Sequence, residues 1–454
     1  MSVIIFLVAS VYNASAASKL SASSSYKSLS SVPWSERLAE RYRCCFSPVL
    51  VDWFDSDIWR RKGCGEYSSP VEPALLLSDA PEQIWPGLMS CDLIPLVEST
   101  AGDWLCVRVD ENSMASEVVQ WYHGGGDWIP WGQDIAQAIV FDGYIQRISS
   151  DSRRHAIPAA YHRGNGEQVD DLLVWALQQM PTGLAEALDA AQDSEQIANS
   201  LLNARVAEVA VHCELVLKSM SCPDVDSLRL AIGAEAEAID RNQLTEWSFD
   251  TALIPDKYLS VLKSGHHGLN LGEQDWQTAR VHADAVTKLA PNLAWGWEIL
   301  GYCEERADRM ESALNAYSNA IQCSVFTDQS VRMNTHWATE EASKFSIERL
   351  RRIDQRIIDQ SDYLSTLLKA DGSERRACMT AYWKKKAAAH LEIGEIPTAV
   401  DCYMAAGWDL GAGPIQVYGD ILTHIQETAE TCGQSGRAEV AATHRRCLRE
   451  RYGV

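Results

Sequence analysis

The sequence predicts an α+β domain on its N-terminal side joined to an all-α helical repeat domain. Three observations carry this reading. From Trp34 to about Gly143 lie eight of the sixteen tryptophans, with short apolar runs and frequent turn residues, the texture of mixed strands and helices. Residues 149–168, SSDSRRHAIPAAYHRGNGEQ, carry Ser, Pro, Gly and charge without an apolar period, as a linker does. Beyond them strand signals largely vanish and Ala/Leu/Glu-rich helical patterns take over, as in DDLLVWALQQM and Leu184–Met220. A chain of 454 residues is about three times the common domain size, so more than one domain is expected.

The expected organisation is a tail over 1–33, an α+β domain over 34–148, the linker 149–168 and a helical domain over 169–454. The tail opens with the apolar run Val3–Ala9 and the small residues Ala14-Ser15-Ala16, which look like a signal peptide but lack a preceding Lys or Arg. The run is too short to span a bilayer. The Ser-rich stretch that follows buries too little to offset ordering entropy. A disordered tail on a cytoplasmic protein is therefore expected, with export as the alternative.

Within the first domain, Trp104–Val109 and Glu117–His123 read as strands joined by Asp110–Ser116. Alternation puts Leu105, Val107 and Val109 on one face and Trp104 and Cys106 on the other, as in a strand covered on both sides. After Pro130 the period changes: Ile135, Ala138, Ile139 and Asp142 fall at helical spacing, with Gly143 placed to end the helix. Between strand and helix lies WYHGGGDWIPWG, residues 121–132, which reads as an exposed glycine loop carrying tryptophans.

Charge narrows the function. Sixty-two acids against 40 bases leave a net charge of -22, a field that repels phosphate backbones and anionic lipid. Neither nucleic acid nor a membrane is expected as a partner. A basic protein is. The thirteen cysteines include no C-x-x-C, so reduced thiols are expected rather than a zinc module or a disulfide framework.

In the helical half, Trp297, Leu300 and Gly301, then Ala313, Tyr317 and Ala320, follow the W-x-x-L-G … A-x-x-x-Y-x-x-A spacing. Ala279, Ala283, Val286 and Pro291 stand in phase one repeat earlier, and Trp383, Ala387, Gly394, Ala399, Tyr403 and Ala406 form an out-of-phase third copy after an insertion near Asp328–Arg376. Small residues at such positions let two helices approach closely while aromatic rings fill the gaps. The region resembles tetratricopeptide (TPR) repeats, near 260–326 and 380–413, and that resemblance implies a protein- or peptide-binding array.

The segment IPLVESTAGDWLCVRVDENSMASEVVQWYHGGGDWIPWGQDIAQAIVFD resembles the SUKH superfamily (Smi/Knr type). The likeness rests on Ile94-Pro95, Gly102-Asp103, the strand with Leu105-Cys106, the strand ending in Trp121-Tyr122-His123, and the helix from Asp134. The N-terminal part RCCFSPVLVDWFDSDIWRRKGCGEYSS departs from the family's pattern. The resemblance implies a SUKH-like α+β binding fold ahead of the TPR-like array, and a role as an immunity protein that neutralises a toxin or as a regulatory scaffold. Ser31–Ser150 holds eighteen acids and eight bases, 8 minus 18 or a net of -10, and basic toxin surfaces are blocked readily by acidic ones.

The expected partner-binding residues are Asp103, Trp104, Trp121, Tyr122, His123, Asp127, Trp128 and Trp131. Tryptophan concentrates contact energy, and a loop on a rigid scaffold suits recognition. No cofactor, metal or catalytic residue is expected. The alternative is a metal-assisted hydrolase using His123, Asp127 and Asp103. GHHG, residues 265–268, reads as a solvated turn, and the basic clusters at Arg349–Arg356 and Thr443–Arg451 read as helix faces.

Overall fold

The computed structural model describes residues 32–85, 89–123, 126–148, 170–223, 225–264, 271, 273–327, 344–354, 356, 361–370, 372–411 and 414–453. Almost all of the expected tail, the whole linker 149–168, the GHHG turn and the opening of the insertion lie outside the described residues. A sheet domain forms the N-terminal side and helices make up the rest.

The chain begins with α1 (Trp34–Tyr42), β1 (Cys45–Phe46) and α2 (Pro48–Asp55), then β2 (Tyr67–Pro70) and α3 (Pro73–Leu76). The strands β3 (Leu93–Ser99), β4 (Trp104–Val109), β5 (Met114–Trp121) and β6 (Trp128–Gly132) lead into α4 (Ile135–Ile148). The sheet runs β1-β5-β4-β3-β2, with β6 also paired to β5. All pairs are antiparallel except β1 with β5. β4 lies where alternation places it, buried on both faces at Leu105, Val107, Val109, Trp104 and Cys106. β5 starts three residues earlier than expected because the turn is tight: Asp110 Oδ1 accepts the amides of Asn112 and Met114 at 2.9 and 2.8 Å, an Asx-type closure.

Gly143 does not end its helix. It lies inside α4, where a Cβ would stand 3.0 Å from Leu173, so the missing side chain permits close packing of the next helix rather than a stop. Trp131, beneath α4, meets Phe141 and Tyr67 edge-on at centroid distances of 5.0 and 5.1 Å.

The helical half runs through α5 (Asp171–Gln178), α6 (Leu184–Ala190), α7 (Ser194–Asn203), α8 (Glu208–Met220), α9 (Val225–Ile232), α10 (Arg241–Phe249) and α11 (Asp256–Ser264). Then come α12 (Trp276–Leu289), α13 (Ala294–Arg306), α14 (Met310–Ala320), α15 (Phe345–Ile353), α16 (Asp362–Lys369), α17 (Gly372–Glu392), α18 (Ile396–Trp408), α19 (Ile415–Thr431) and α20 (Ser435–Tyr452). The residues picked out by spacing sit at helix contacts: Ala279, Ala283, Ala313, Tyr317, Ala387 and Ala399 are each fully buried. A Cβ on Gly301 would stand 2.7 Å from the Tyr317 ring, so α13 and α14 meet there backbone to ring. Trp297 is not the expected gap-filler. Trp295, Ile299 and Tyr302 face inward, which turns Trp297 to the helix edge, where its indole donates to the Pro291 carbonyl at 2.8 Å.

The array leaves the sheet domain and comes back to it. At its start, Trp175 donates to Asp52 at 2.8 Å and the Ala207 amide donates to Gln137 at 3.1 Å. At its end, α20 lies on α1 and β4. The Gly436 amide donates to Ser113 Oγ at 2.9 Å, Arg41 pairs with Glu439 at 2.6 Å, and the Tyr418 hydroxyl donates to the Met89 carbonyl at 3.0 Å. One apolar core consequently runs from Leu38 to Leu448, with smaller ones under α9–α11 and between α18, α19 and α20 at Val400, Ala429 and Ala438. No helix among the described residues is long and apolar enough to cross a membrane.

A Cβ at Gly436 would fall 2.8 Å from Val109 Cγ1, so Gly436→Leu should cost roughly 1–3 kcal/mol by overpacking. Hydrogen exchange should then show β4 and α13 losing protection together, because one core joins them. Unchanged protection in α13 would mean that the halves unfold independently. Asp142 is buried and accepts the Tyr67 amide at 3.2 Å; burial, then the Glu66 charge, pushes its carboxyl from 3.8 up to about 8. The folded chain keeps a proton that the unfolded chain releases above its ordinary value, so stability falls as pH rises from 3.8 to about 8. Asp142→Asn should therefore raise the melting temperature more at pH 8 than at pH 5, as read by calorimetry, and an equal rise at both would count against the buried proton.

Candidate functional site

Two hairpins bring Asp103 and His123 to one end of the sheet. The β3–β4 turn places the Asp103 amide on Ser99 Oγ at 2.9 Å, with Gly102 at φ 92° in the left-handed region that glycine tolerates. Across the sheet Trp104 pairs with Trp121, which sets His123 just past the strand end. Asp103 Oδ1 accepts both the His123 amide at 2.9 Å and its Nδ1–H at 2.7 Å. An ionised carboxylate only accepts, so Nδ1 is the donor in this contact. Asp103 is buried while His123 is exposed. Burial, followed by the Asp103 and Asp127 charges, pushes the Tyr122 phenol upward.

This pair is an imidazole oriented by one carboxylate. No group of three or more His, Cys, Asp or Glu among the described residues is arranged to hold a metal ion, so His123, Asp127 and Asp103 do not make a metal trio. Asp127 is buried at the base of β6, its carbonyl accepting the Tyr122 amide at 2.8 Å.

The tryptophans are not on an exposed loop. Trp128–Gly132 is a strand, and Trp121 pairs with Trp128 as well as with Trp104. The three indoles thus share one row across β4, β5 and β6, with relative exposures of 4%, 3% and 8%, and Trp131 is at 2%. The physical reason is cross-strand packing: residues in register lie close enough for aromatic side chains to pack together. Arg108 lies 4.3 Å from the Trp128 ring centroid and is held by Asp92 at 3.2 Å and by Glu117. The Trp128 ring thus receives a cation from within the chain. Of the eight expected contact residues, Tyr122 and His123 reach the surface, and Asp103, Trp104, Trp121, Asp127, Trp128 and Trp131 are interior.

A second candidate lies in the helical half, where the sequence reading named no binding residue. Between α14, α16 and α17 opens a pocket of about 380 Å³ lined by Ser318, Gln322, Asp362, Tyr363, Tyr382, Trp383 and Lys386, among others. The three rings pack against one another at centroid distances of 5.3–5.8 Å. The ammonium of exposed Lys386 lies 5.3 Å from the Tyr382 ring and 5.6 Å from Trp383, within cation–π range.

The pocket's rings are anchored from below. Asp409 accepts from Trp383 Nε1 at 2.8 Å, from the Tyr363 hydroxyl at 2.8 Å and from Lys344 Nζ. The three N–H groups of Lys344 are shared among Asp409, the Ile321 and Cys323 carbonyls, each at 2.8 Å, and the Tyr363 oxygen at 2.7 Å. Both charges are nearly inaccessible. A buried pair is tolerated when its remaining hydrogen-bonding capacity is filled, as these partners fill it here. Burial, then the Asp409 charge, pushes the Tyr363 phenol well up.

The pocket escaped the sequence reading because its walls come from residues 318–322, 361–364 and 382–386, far apart in the chain. A signal existed in Ala381–Lys386, where Tyr382-Trp383 precedes three lysines. Compared with protein-family models, curated proteins and solved structures, the chain finds no match.

Trp128→Ala should cost roughly 3–5 kcal/mol, the usual loss for a buried indole, and lower the denaturation midpoint accordingly. A midpoint within experimental error of the native one would restore the exposed-loop reading.

Proposed function

We propose that this chain is a non-enzymatic protein-interaction module, a SUKH-like domain and a TPR-like array in one body, that takes a short segment of its partner into the pocket between α14, α16 and α17. The observation that carries this is a set of three packed rings around a pocket of about 380 Å³, a size within the ligand-site range of about 300–1,000 Å³. Aromatic anchors of this kind concentrate binding energy.

Local charge supports an acidic segment. Helix α17 holds five Lys/Arg, at 375, 376, 384, 385 and 386, against two acids, at 374 and 392, a net of +3 in a chain of net -22. A segment with an apolar or aromatic side chain beside an acidic one fits that rim. The sheet domain is the acidic counterpart and supports a partner that is basic elsewhere, such as a toxin held by an immunity protein; a regulatory scaffold would use the same pocket. Thirteen free thiols support a reducing compartment such as the cytoplasm.

The test is selection from a phage-displayed random peptide library on the immobilised full chain. Enriched peptides should pair an aromatic or branched side chain with Asp or Glu. They should bind Lys386→Glu and Tyr382→Ala at least about tenfold more weakly, some 1.4 kcal/mol. Peptides that bind both variants as tightly as the native chain would overturn the proposal.

A further inference from the structure

His212 on α8 and His282 on α12 face each other across the seam between these helices. Their Nδ1 atoms are 3.0 Å apart, with ring centroids at 5.1 Å and planes inclined by 38°. The seam is firm on both sides: α8 rests on β6 and α4, and α12 packs on α13. Both rings are partly exposed, so an ion can reach them and water can complete its shell.

We propose that His212 and His282 form a two-histidine site for a divalent first-row transition ion of the nickel or copper type, linking α8 to α12. Metal–imidazole bonds are about 2.0–2.1 Å, so donors 3.0 Å apart subtend about 90–100° at a shared ion. That is the cis angle of square-planar and octahedral shells. Tetrahedral zinc, near 109°, needs donors about 3.3–3.4 Å apart. Burial, then the facing His282, pushes His212 down to about 4, and burial pushes His282 down as well, so both rings are neutral near pH 7, the form that ligates. No third His, Cys, Asp or Glu among the described residues completes a larger group, so solvent supplies the other positions.

The proton balance is distinctive. Without the ion, one Nδ1–H donates to the other Nδ1. When both Nδ1 atoms bind the ion, that proton moves to Nε2 of its own ring, and none is released to solvent. A cysteine ligand, by contrast, gives up its thiol proton. The ion would fix the first repeat-like helix against a helix that lies on the sheet domain.

The experiment uses the full chain dialysed free of metal and titrated with NiCl₂ at pH 7.5. Calorimetry should show one ion per chain with the same enthalpy in two buffers of unlike ionisation heat, and a saturable rise in melting temperature. His212→Ala and His282→Ala should each weaken binding at least tenfold and abolish that rise. Ni²⁺ binding that survives in both variants, or that releases protons, would overturn the site, and Zn²⁺ binding more tightly than Ni²⁺ would overturn its cis geometry. Should either variant fail to fold, electron paramagnetic resonance of Cu²⁺ on the native chain, its thiols blocked with N-ethylmaleimide, decides: two nitrogen donors support the site, and one or none refutes it.

Discussion

The close approach of α20 to the sheet at Gly436, where a β-carbon would stand within 3.2 Å of Val109, Ser113 and Cys44, closes the helical part back onto the sheet domain. Such contact, without room for a methyl group, lets the last helix reach β4, and close-packed interiors transmit that constraint onward. His444 is fully buried between Trp85 and Tyr418, and Arg446 reaches the Asp79 carbonyl at 2.8 Å. The run of helices is thus closed at both ends on one domain. The closure also explains why β4 is buried on both faces although its sheet is largely antiparallel, an arrangement that commonly leaves one face wet.

Polar groups inside this body serve positioning. The Lys344–Asp409 pair is expensive to desolvate, and apolar residues of like volume would often do as well for stability. What they would not do is fix the Trp383 and Tyr363 rings by directed bonds from one carboxylate. The pocket wall is thereby set by hydrogen-bond geometry as well as by the mutual packing of its rings. The Asp103–His123 pair works by the same logic at the sheet end, where two bonds to one oxygen hold an imidazole that would otherwise rotate freely.

Legibility in the sequence followed the range of the interaction. Strand β4 and helix α4 were readable because alternation and helical period are local, and the small-residue spacing of α13–α14 and α17–α18 was readable for the same reason. The Trp104–Trp121–Trp128 row was not, because register between strands is a long-range property. One local clue was present: Trp121 and Trp128 flank YHGGGD symmetrically, as hairpin partners do. Reading glycine and proline there as marks of an exposed loop overlooked that a proline tolerated at a sheet edge can continue a strand. Gly143 misled in the same way, since the helix it lies beside, 30 residues on at Leu173, decides whether a glycine stops a helix or admits a neighbour.

The separate features share one path through the array. His282 sits on α12, which packs against α13, and α13 packs against α14, whose end supplies Ser318, Ile321 and Gln322 to the pocket. Gly296 presses on Val286 between the first two helices, and Gly301 presses on Tyr317 between the next two, so each interface lacks the slack that a longer side chain could absorb by changing rotamer. The α8–α12 seam and the pocket are thus joined through two tightly packed helix interfaces. The glycines of α13 sit at these interfaces and tighten their packing, as Gly436 does where α20 meets β4.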